Sequence, residues 1–416
     1  MNQDEPVIPD GGNFLSRDVK GALPRLLYIG DVPVSNTFGG ATFLYRLLKN
    51  YPADRLVVCA PVVEMKAPLP GVRYVRFDAR WPRLLRTRFS PLYCAWISWR
   101  LNSIPRWSRK LVREFRPTAV VTISQTCGWI LAWRLAQKEK LPLFMFVHDD
   151  HMFYKHLPQR MWPWAQQHFA EAYRYSAGRL CISDSMAEEY ERRYGVAGEI
   201  QFPLRDSQNP ILKDPAPQTS ERKKALTFIY AGSIHGDPSL RQILAFATAA
   251  ANNGHKLVVY SPQHAELRQR AAGTAGLEAR PPVASSAKLA TCLREEGDCL
   301  LVTGSFDSTQ SDEVRTLFPS KVADYSAIGL PLIAWAPPYA SIAEFARKHA
   351  GVMELVTDSD PSALTPAMAR LAASPELRTR LAKAILQVGA EMFSPESAWG
   401  TFAERLRRRT SGRDAR

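Results

Sequence analysis

The feature that most constrains the fold is a regular alternation of short apolar runs with helical patterns, which occurs in two series. In the first half the apolar runs span residues 25–31, 55–61, 72–78, 118–124, 142–149 and 179–183. In the second half they span residues 226–233, 255–261, 298–303, 331–335 and 353–356. Strands that alternate with helices form parallel sheets covered on both faces. We therefore predict two Rossmann-like, doubly wound parallel-sheet domains that face a cleft.

Length and local composition predict where these domains begin and end. A chain of 416 residues is too long for a single core. The stretch 206–224 is charged, contains proline and lacks periodicity, which is typical of a linker. The predicted parts are a flexible lead-in, an N-terminal Rossmann-like domain, this linker, a C-terminal Rossmann-like domain, and a last helix with a basic tail that could pack back on the N-terminal domain: residues 1–22, 23–205, 206–224, 225–392 and 393–416.

The cellular compartment is predicted from three absences in the sequence. No apolar run reaches the roughly 20 residues that cross a bilayer. Residues 1–22 lack the basic start and apolar centre of a secretory signal. The six cysteines have no metal-ligand spacing, which favours reduced thiols. These observations predict a cytoplasmic protein.

The segment from Phe318 to Trp335 carries the strongest chemical signal in the chain. It places Lys321 and, one helical turn later, Asp324 near the start of a short helix that Gly329 ends. An ammonium, free backbone N–H groups and a carboxylate together suit a nucleoside diphosphate. The phosphates would lie on Lys321 and the ribose hydroxyls on Asp324. A helix with solvated Lys and Asp side chains is the alternative.

Small residues at the ends of predicted strands suggest further contacts with phosphate. Gly39 and Gly40 begin a helix soon after the first strand, and Gly232 with Ser233 ends the first strand of the second series. Glycine lets a backbone approach a ligand closely. His235 and Arg241 could add phosphate contacts, and Ser305 lies where another strand opens toward the same side. A tight turn or a surface role explains these residues equally well.

His148 and Asp149 follow the predicted strand 142–149 at its carboxyl end. A His–Asp pair there could orient or deprotonate an acceptor hydroxyl. A metal site that includes Asp150 and His151, or a structural role, stays open, although no further ligand pattern supports a metal.

A net charge of +14 calls for an anionic partner, and the basic residues are concentrated. Between Arg80 and Arg116 ten basic residues face one acid, Glu114, with tryptophans interleaved, and a second basic cluster closes the chain. Arginine mixed with tryptophan suits the interface of an anionic membrane. Nucleic acid would suit the same charges, although no nucleic-acid-binding motif accompanies them. A solvated basic helix with core tryptophans is the structural alternative.

Taken with their motifs, these residues make the chain similar to the GT-B glycosyltransferases, specifically the group 1, family 4-like, nucleotide-sugar-dependent transferases. The resemblance rests on Phe318-Pro319-Ser320-Lys321 with Asp324 to Pro331, and on Tyr230 to Ser233. In the first half it rests on Phe38-Gly39-Gly40, on His148-Asp149, on Cys181 to Tyr190 with Tyr194-Gly195, and near the end on Phe393 to Trp399.

The resemblance implies retaining transfer of a sugar from a nucleoside diphosphate, with the donor held mainly by the C-terminal domain. Together with the segment of arginines and tryptophans, it leads us to predict a lipid-linked or polysaccharide acceptor on the N-terminal domain. No cofactor is expected, and no metal is needed if Lys321 and a helix N-terminus hold the phosphates. It implies catalytic roles for His148, Asp149 and Lys321. The donor-binding residues would be Gly39, Gly40, Gly232, Ser233, His235, Ser305, Pro319, Ser320, Lys321 and Asp324. The protein would be cytoplasmic, with peripheral attachment to the inner face of the plasma membrane.

One position departs from the family pattern. Many members carry two glutamates separated by seven residues, whereas here Thr316 occupies the first place and Asp324 the second. Glu313 is the nearest acid that could substitute. Two alternatives therefore remain: a nucleotide-sugar epimerase of the same fold, and a homologue that binds a glycan or nucleotide without catalysis.

Overall fold

In the computed structural model the chain divides into two compact units. The structure describes residues 23–36, 39–60, 68–76, 89, 91–93, 95–96, 99, 103–125, 128–150, 159, 162–209, 211–212, 214–216, 225–271 and 273–410. The N-terminal unit comprises the described residues of Asn13–Phe202 and Ala398–Arg416. The C-terminal unit comprises those of Pro203–Ser397.

The N-terminal unit contains a sheet of seven parallel strands. These are β1 Leu26–Ile29, β2 Leu56–Ala60, β3 Arg73–Arg76, β4 Ala119–Ile123, β5 Leu143–Val147, β6 Gly178–Cys181 and β7 Glu199–Ile200. Their order is β3-β2-β1-β4-β5-β6-β7, so the sheet grows in both directions from β1 and β4. The central strands β1, β2, β4 and β5 are buried along their whole length, as expected when helices cover both faces.

Helices follow most of these strands. They are α1 Gly39–Leu48, α2 Arg106–Phe115, α3 Gly128–Glu139, α4 Trp162–Tyr175 and α5 Asp184–Tyr194. Helix α5 shows why such elements begin and end where they do. Ser183 accepts a hydrogen bond from the N–H of Met186 at its start, and Gly195 adopts a left-handed conformation at its end.

The C-terminal unit repeats the same topology with six parallel strands. These are β8 Thr227–Ala231, β9 Lys256–Tyr260, β10 Leu277–Arg280, β11 Cys299–Thr303, β12 Leu332–Trp335 and β13 Glu354–Val356, in the order β10-β9-β8-β11-β12-β13. Its helices are α6 Gly236–Asn252, α7 His264–Arg270, α8 Ser286–Glu296, α9 Ser311–Thr316, α10 Lys321–Tyr325, α11 Ser341–Lys348, α12 Leu364–Ala373 and α13 Pro375–Met392.

The last helix, α14 Pro395–Thr410, crosses the boundary between the units, and most of it belongs to the N-terminal unit. There Phe402 is fully buried with its ring 5.5 Å from that of Phe146. Arg405 and Arg409 pair with Glu199 at 2.9 and 3.3 Å. Two arginines of the predicted basic tail therefore serve the packing of this unit, and residues 411–416 lie outside the described residues.

The predicted fold class is confirmed, because both sheets are parallel and doubly wound. All eleven predicted strands are present. The sequence did not predict β7 or β10, which are two and four residues long at the sheet edges. Helix α6 begins at Gly236, so Asp237 lies in its first turn, where its carboxylate pairs with Arg241 and Arg270.

The described part of the predicted linker is bonded to the C-terminal unit. The N–H of Ala216 donates to the carbonyl of Gly329 at 2.7 Å, and Arg294 donates to the carbonyl of Pro215 at 3.3 Å. The N–H of Asp206 donates to Asp324 at 3.0 Å. Residues 217–224 lie outside the described residues.

Across the residues that the structure describes, each helix is too short or too polar to span a bilayer.

The close contact between Gly128 of α3 and the residues after β1 predicts that alanine at this position destabilises the protein. A Cβ at Gly128 would lie 2.8 Å from the backbone nitrogen of Asp31 and 3.0 Å from the carbonyl carbon of Gly30. Because backbone atoms cannot move aside easily, Gly128→Ala should lower the free energy of unfolding by about 1–3 kcal/mol. Urea unfolding followed by circular dichroism measures this change.

Gly400→Ala provides the control within the same unit. Gly400 lies inside α14, and a Cβ there would have no atom within 4 Å. Alanine should therefore leave stability unchanged or raise it by up to about 1 kcal/mol. Equal effects of the two substitutions would show that the close approach at Gly128 is not a constraint.

Candidate functional site

In the C-terminal unit the candidate site is built at the carboxyl end of β8, where the strand order reverses toward β11. Ligands of doubly wound sheets bind at this point. The strand ends at Ala231, and Gly232 follows with φ +139°, a conformation that favours glycine. The Tyr230 hydroxyl donates to the carbonyl of Ser233 at 2.8 Å. These residues form a turn that leads into the N-terminus of α6 at Gly236.

Helix α10 is fixed to this turn by a buried tyrosine. The hydroxyl of Tyr325 accepts a hydrogen bond from the N–H of Ala231 at 2.6 Å, and a 3.2 Å contact joins it to the carbonyl of the same residue. Tyr325 is 2% exposed. Because the side chain of Tyr325, the last residue of α10, engages both polar groups of Ala231, this short helix is held beside the end of β8.

This attachment brings Lys321 to the glycine turn. The Nζ of Lys321 lies 3.3 Å from the ring centroid of Tyr230, a cation–π arrangement. A Cβ added at Gly232 would lie 3.6 Å from both Cε and Nζ of the lysine. Lys321 and Gly232, which the resemblance assigns to the same diphosphate, therefore lie side by side.

Among the residues that the structure describes, no carboxylate pairs with the ammonium of Lys321. Within the described residues, the Nζ forms no hydrogen bond or ion pair, and its contact is the neutral Tyr230 ring. Burial lowers the pKa of Lys321 from 10.5 to about 7, because desolvation disfavours the charged form. An anionic ligand would supply the missing negative charge, so this position suits phosphate.

Asp324 is engaged differently from the ribose contact that the resemblance implies. Its Oδ1 accepts hydrogen bonds from the N–H of Asp206 at 3.0 Å and from the side-chain amide of Asn209 at 3.2 Å. The carboxylate therefore helps to attach the segment after Pro203 to this unit. Its proposed contact with ribose stays a prediction.

The remaining donor-site residues of this unit differ in exposure. Ser233, His235 and Ser320 are exposed, and Pro319 is partly exposed. Ser305 follows β11 but is 8% exposed, and its Oγ accepts the N–H of Asp307 at 3.2 Å. Arg241, considered as a phosphate partner, pairs with Asp237 and lies 3.7 Å from Asp307. We therefore regard Ser233 and His235 as more accessible to a ligand than Ser305, whereas Arg241 is exposed but already paired with Asp237.

Thr316 does not present its hydroxyl to solvent. It is 1% exposed, and its Oγ1 donates to the carbonyl of Asp312 at 3.0 Å inside α9. Glu313 lies on the same helix and is partly exposed.

In the N-terminal unit His148 follows β5 and packs against α1. Its ring centroid lies 4.1 Å from that of Phe43 at an interplanar angle of 70°. The residue is 6% exposed, and among the described residues its Nε2 has no hydrogen-bond partner. Burial lowers the pKa of His148 from 6.5 to about 3. The imidazole is consequently neutral at physiological pH and too weakly basic to take a proton from a hydroxyl.

Asp149 and Gly40 of α1 both lie beside Gln125, which follows β4. The Gln125 amide donates to Oδ2 of Asp149 at 2.7 Å. A Cβ at Gly40 would lie 3.1 Å from Oε1 of Gln125. Gly39 is the first residue of α1, and the N-terminus of that ten-residue helix lies at the same edge. The N-terminal candidate residues Gly40 and Asp149 are thus brought together by a side chain that the sequence did not single out.

Asp150 has a structural role in this unit. It is 6% exposed, accepts a hydrogen bond from Tyr190 at 2.7 Å and pairs with Arg193 at 2.8 Å. His151, the other residue of the metal alternative, lies outside the described residues.

Sequence reasoning missed three residues that complete these two sets: Tyr230, Phe43 and Gln125. Tyr230 was quoted only as part of a motif, and its signal was an aromatic residue two positions before a strand-terminal glycine. Phe43 reads as an ordinary core position of an amphipathic helix. Gln125 directly follows a buried strand at Ser124, which placed it at the edge where ligands bind.

Comparisons with known proteins agree with this fold. A family model described as Glycosyltransferase Family 4 matches residues 38–201. Among solved structures, Anabaena HepE in complex with UDP and glucose is similar with a TM-score of 0.63 at 14% identity, over 92% of this chain and 99% of that one. Sucrose-phosphate synthase from Thermosynechococcus elongatus gives a TM-score of 0.62 at 14% identity, over 92% and 98%.

A third similar structure is the apo form of the lipopolysaccharide outer core galactosyltransferase WaaB, with a TM-score of 0.59 at 15% identity over 92% and 98% of the two chains. A search of curated proteins found no match.

The neutral state of His148 predicts a specific pH dependence of stability. Between pH 6.5 and 3 the unfolded chain binds a proton at this residue that the folded protein does not, so the free energy of unfolding falls as the pH falls. His148→Gln should reduce this slope by up to roughly one proton. Urea unfolding at a series of pH values measures it, and equal slopes in both proteins would contradict the assignment.

Proposed function

We propose that this chain is a glycosyltransferase of the GT-B fold that transfers a sugar from a nucleoside-diphosphate sugar, with retention, to a lipid-linked or polysaccharide acceptor. The observation that carries the proposal is the Lys321 ammonium, which lies beside Gly232 without a counter-charge among the described residues. The similar HepE structures contain UDP or UDP-glucose, so UDP-sugars are the first donors to test.

The C-terminal unit supports the donor half of this proposal. A departing nucleoside diphosphate gains negative charge as the bond to the sugar breaks, and a preorganised positive group stabilises that charge. Lys321 supplies the positive group. The backbone of Gly232 and Ser233, together with the N-terminus of the 17-residue helix α6, supplies N–H groups. We propose that these groups take the place of a divalent metal.

The proposed reaction exchanges one bond for another at the anomeric carbon. The bond from C1 to the phosphate oxygen breaks, and an acceptor hydroxyl oxygen bonds to C1 on the same face. The hydroxyl proton passes to the leaving phosphate, because His148 with its pKa of about 3 is a poor base. We assign neutral His148 to hydrogen bonding with the sugar or acceptor, and Asp149 to orienting that group.

An exposed aromatic surface supports a membrane-associated acceptor. Phe89, Leu92, Trp96 and Trp99 are 47%, 71%, 45% and 68% exposed. Exposed basic residues follow in α2: Arg106, Lys110 and Arg113. The arginines at 80, 83, 86, 88 and 100 lie outside the described residues. We propose that this surface binds anionic lipid at the inner face of the plasma membrane, where aromatic and basic residues act together.

Lys321→Met tests the donor site, since methionine keeps the length of the side chain and removes its charge. We expect a loss of roughly tenfold or more in the rate of sugar transfer. Chelation with EDTA should leave the activity of the unaltered enzyme unchanged. Transfer from radiolabelled UDP-sugars to lipid and polysaccharide acceptors provides the measurement.

Lys288→Met is the matched control, because Lys288 is an exposed lysine on α8 of the same unit. It should retain full activity. Full activity of Lys321→Met would remove this lysine from the site, and loss of activity with EDTA would restore a role for a metal. Interconversion of the donor sugar without any acceptor would identify an epimerase, and tight donor binding without turnover an inactive homologue.

The membrane assignment predicts a salt-sensitive interaction with anionic vesicles. The double substitution Trp96→Ala and Trp99→Ala should weaken binding to vesicles that contain phosphatidylglycerol by roughly tenfold or more. Trp162→Ala is the control, since Trp162 is 40% exposed on α4 of the same unit. Cosedimentation measures binding. Equal binding to neutral phosphatidylcholine vesicles, or a preference for nucleic acid, would contradict the assignment.

A further inference from the structure

The Lys321 ammonium contacts an aromatic ring rather than a carboxylate. The ring of Tyr230, which is 4% exposed, faces the Nζ at 3.3 Å. A carboxylate at this distance would neutralise the lysine and compete with a phosphate ligand. An aromatic face attracts the ammonium through its quadrupole but carries no net charge, so the positive charge remains available to a ligand.

Tyr230 also joins the lysine to the turn beside it. Its hydroxyl donates a hydrogen bond to the carbonyl of Ser233. Ala231, which follows Tyr230 in the chain, is hydrogen-bonded to Tyr325, and Tyr325 lies on the same helix as Lys321. The ring and the hydroxyl of one side chain therefore contact two different parts of the proposed phosphate site. We propose that Tyr230 is a positioning residue, which sets the place and the ionisation of Lys321 for an incoming diphosphate. This inference rests on the proposed function.

Of the titratable groups around the site, we expect Lys321 to be the one whose protonation governs the pH dependence of diphosphate binding. Burial raises the pKa of both Tyr230 and Tyr325, so these phenols stay neutral. Asp324, on the same helix as the lysine, is bonded to the backbone of Asp206 and the side chain of Asn209. With a pKa of about 7, the amine must gain a proton to bind a diphosphate at higher pH. Affinity should therefore fall as the pH rises above about 7.

Two substitutions of Tyr230 separate the ring from the hydroxyl in the full-length chain. Tyr230→Phe keeps the ring and loses the bond to Ser233, whereas Tyr230→Leu loses both. The first readout is the pKa of Lys321, followed by NMR with lysine labelled at Cε and assigned by its absence in Lys321→Arg. The second is the affinity for inorganic pyrophosphate, measured by calorimetry across pH 6 to 9.

Tyr230→Phe should retain the lysine pKa and most of the pyrophosphate affinity, because the ring that contacts Lys321 is kept. Tyr230→Leu should lower the pKa further and weaken pyrophosphate binding by about threefold to thirtyfold, the range of a partly desolvated cation–π contact. The pH at which affinity begins to fall should move down with it. Tyr260→Leu is the control, because Tyr260 ends the neighbouring strand β9 and contacts Glu296 and Arg280 instead.

An unchanged lysine pKa and affinity in a folded Tyr230→Leu variant would overturn the inference. So would a Tyr230→Phe variant as weak as Tyr230→Leu, because the hydroxyl rather than the ring would then matter. A purely structural role would lower the melting temperature without moving the lysine pKa. Failure to transfer sugar with the pKa shift intact would overturn the proposed function alone.

Discussion

The reversal of strand order inside each sheet is the constraint on which the rest of the structure depends. Between β1 and β4, and between β8 and β11, the connecting helices leave toward opposite sides of the sheet. A crevice that no connecting helix covers therefore forms between the carboxyl ends of the two neighbouring strands. Main-chain groups in this crevice can bind a ligand. Asp31 and Gln125 follow the first pair of strands, and Gly232 and Ser305 follow the second. The topology therefore decides where chemistry is available before any side chain is considered.

The placement of Lys321 shows how such an edge acquires a charge. Removing an ammonium from water without a counter-ion opposes folding, and the lowered pKa of this lysine records that cost. The buried hydrogen bonds between Tyr325 and Ala231 hold α10, and with it the lysine, in place despite this desolvation cost. A site that is electrostatically incomplete in the folded chain gains most when an anion arrives, and this preorganisation is what stabilisation of a leaving group requires. His148 is comparable, since its buried imidazole is kept neutral next to Phe43.

The fold was largely predictable from the sequence because long, buried strands leave continuous apolar runs. Strand β7 escaped because Glu199 and Ile200 are too few to show a pattern, and β10 because Leu277–Arg280 alternates weakly. The resemblance assigned both Lys321 and Gly232 to the diphosphate, and the two residues lie side by side. What could not be predicted was pairing between side chains distant in sequence: Asp324 with Asn209, Tyr230 with Lys321, or Gln125 with Asp149. Such contacts depend on how α10 and β4 are oriented, which local pattern does not encode.

Because α14 packs into the N-terminal unit, the order of translation limits when that unit can fold. The N-terminal unit includes Ala398, Phe402, Ala403 and Leu406 in its buried interior, all within the last helix. A nascent chain that has emerged only as far as residue 202 thus lacks part of its own hydrophobic interior. The unit synthesised first can be completed only after the unit synthesised second has been translated. During synthesis the N-terminal unit would therefore need protection by chaperones for longer than the C-terminal unit.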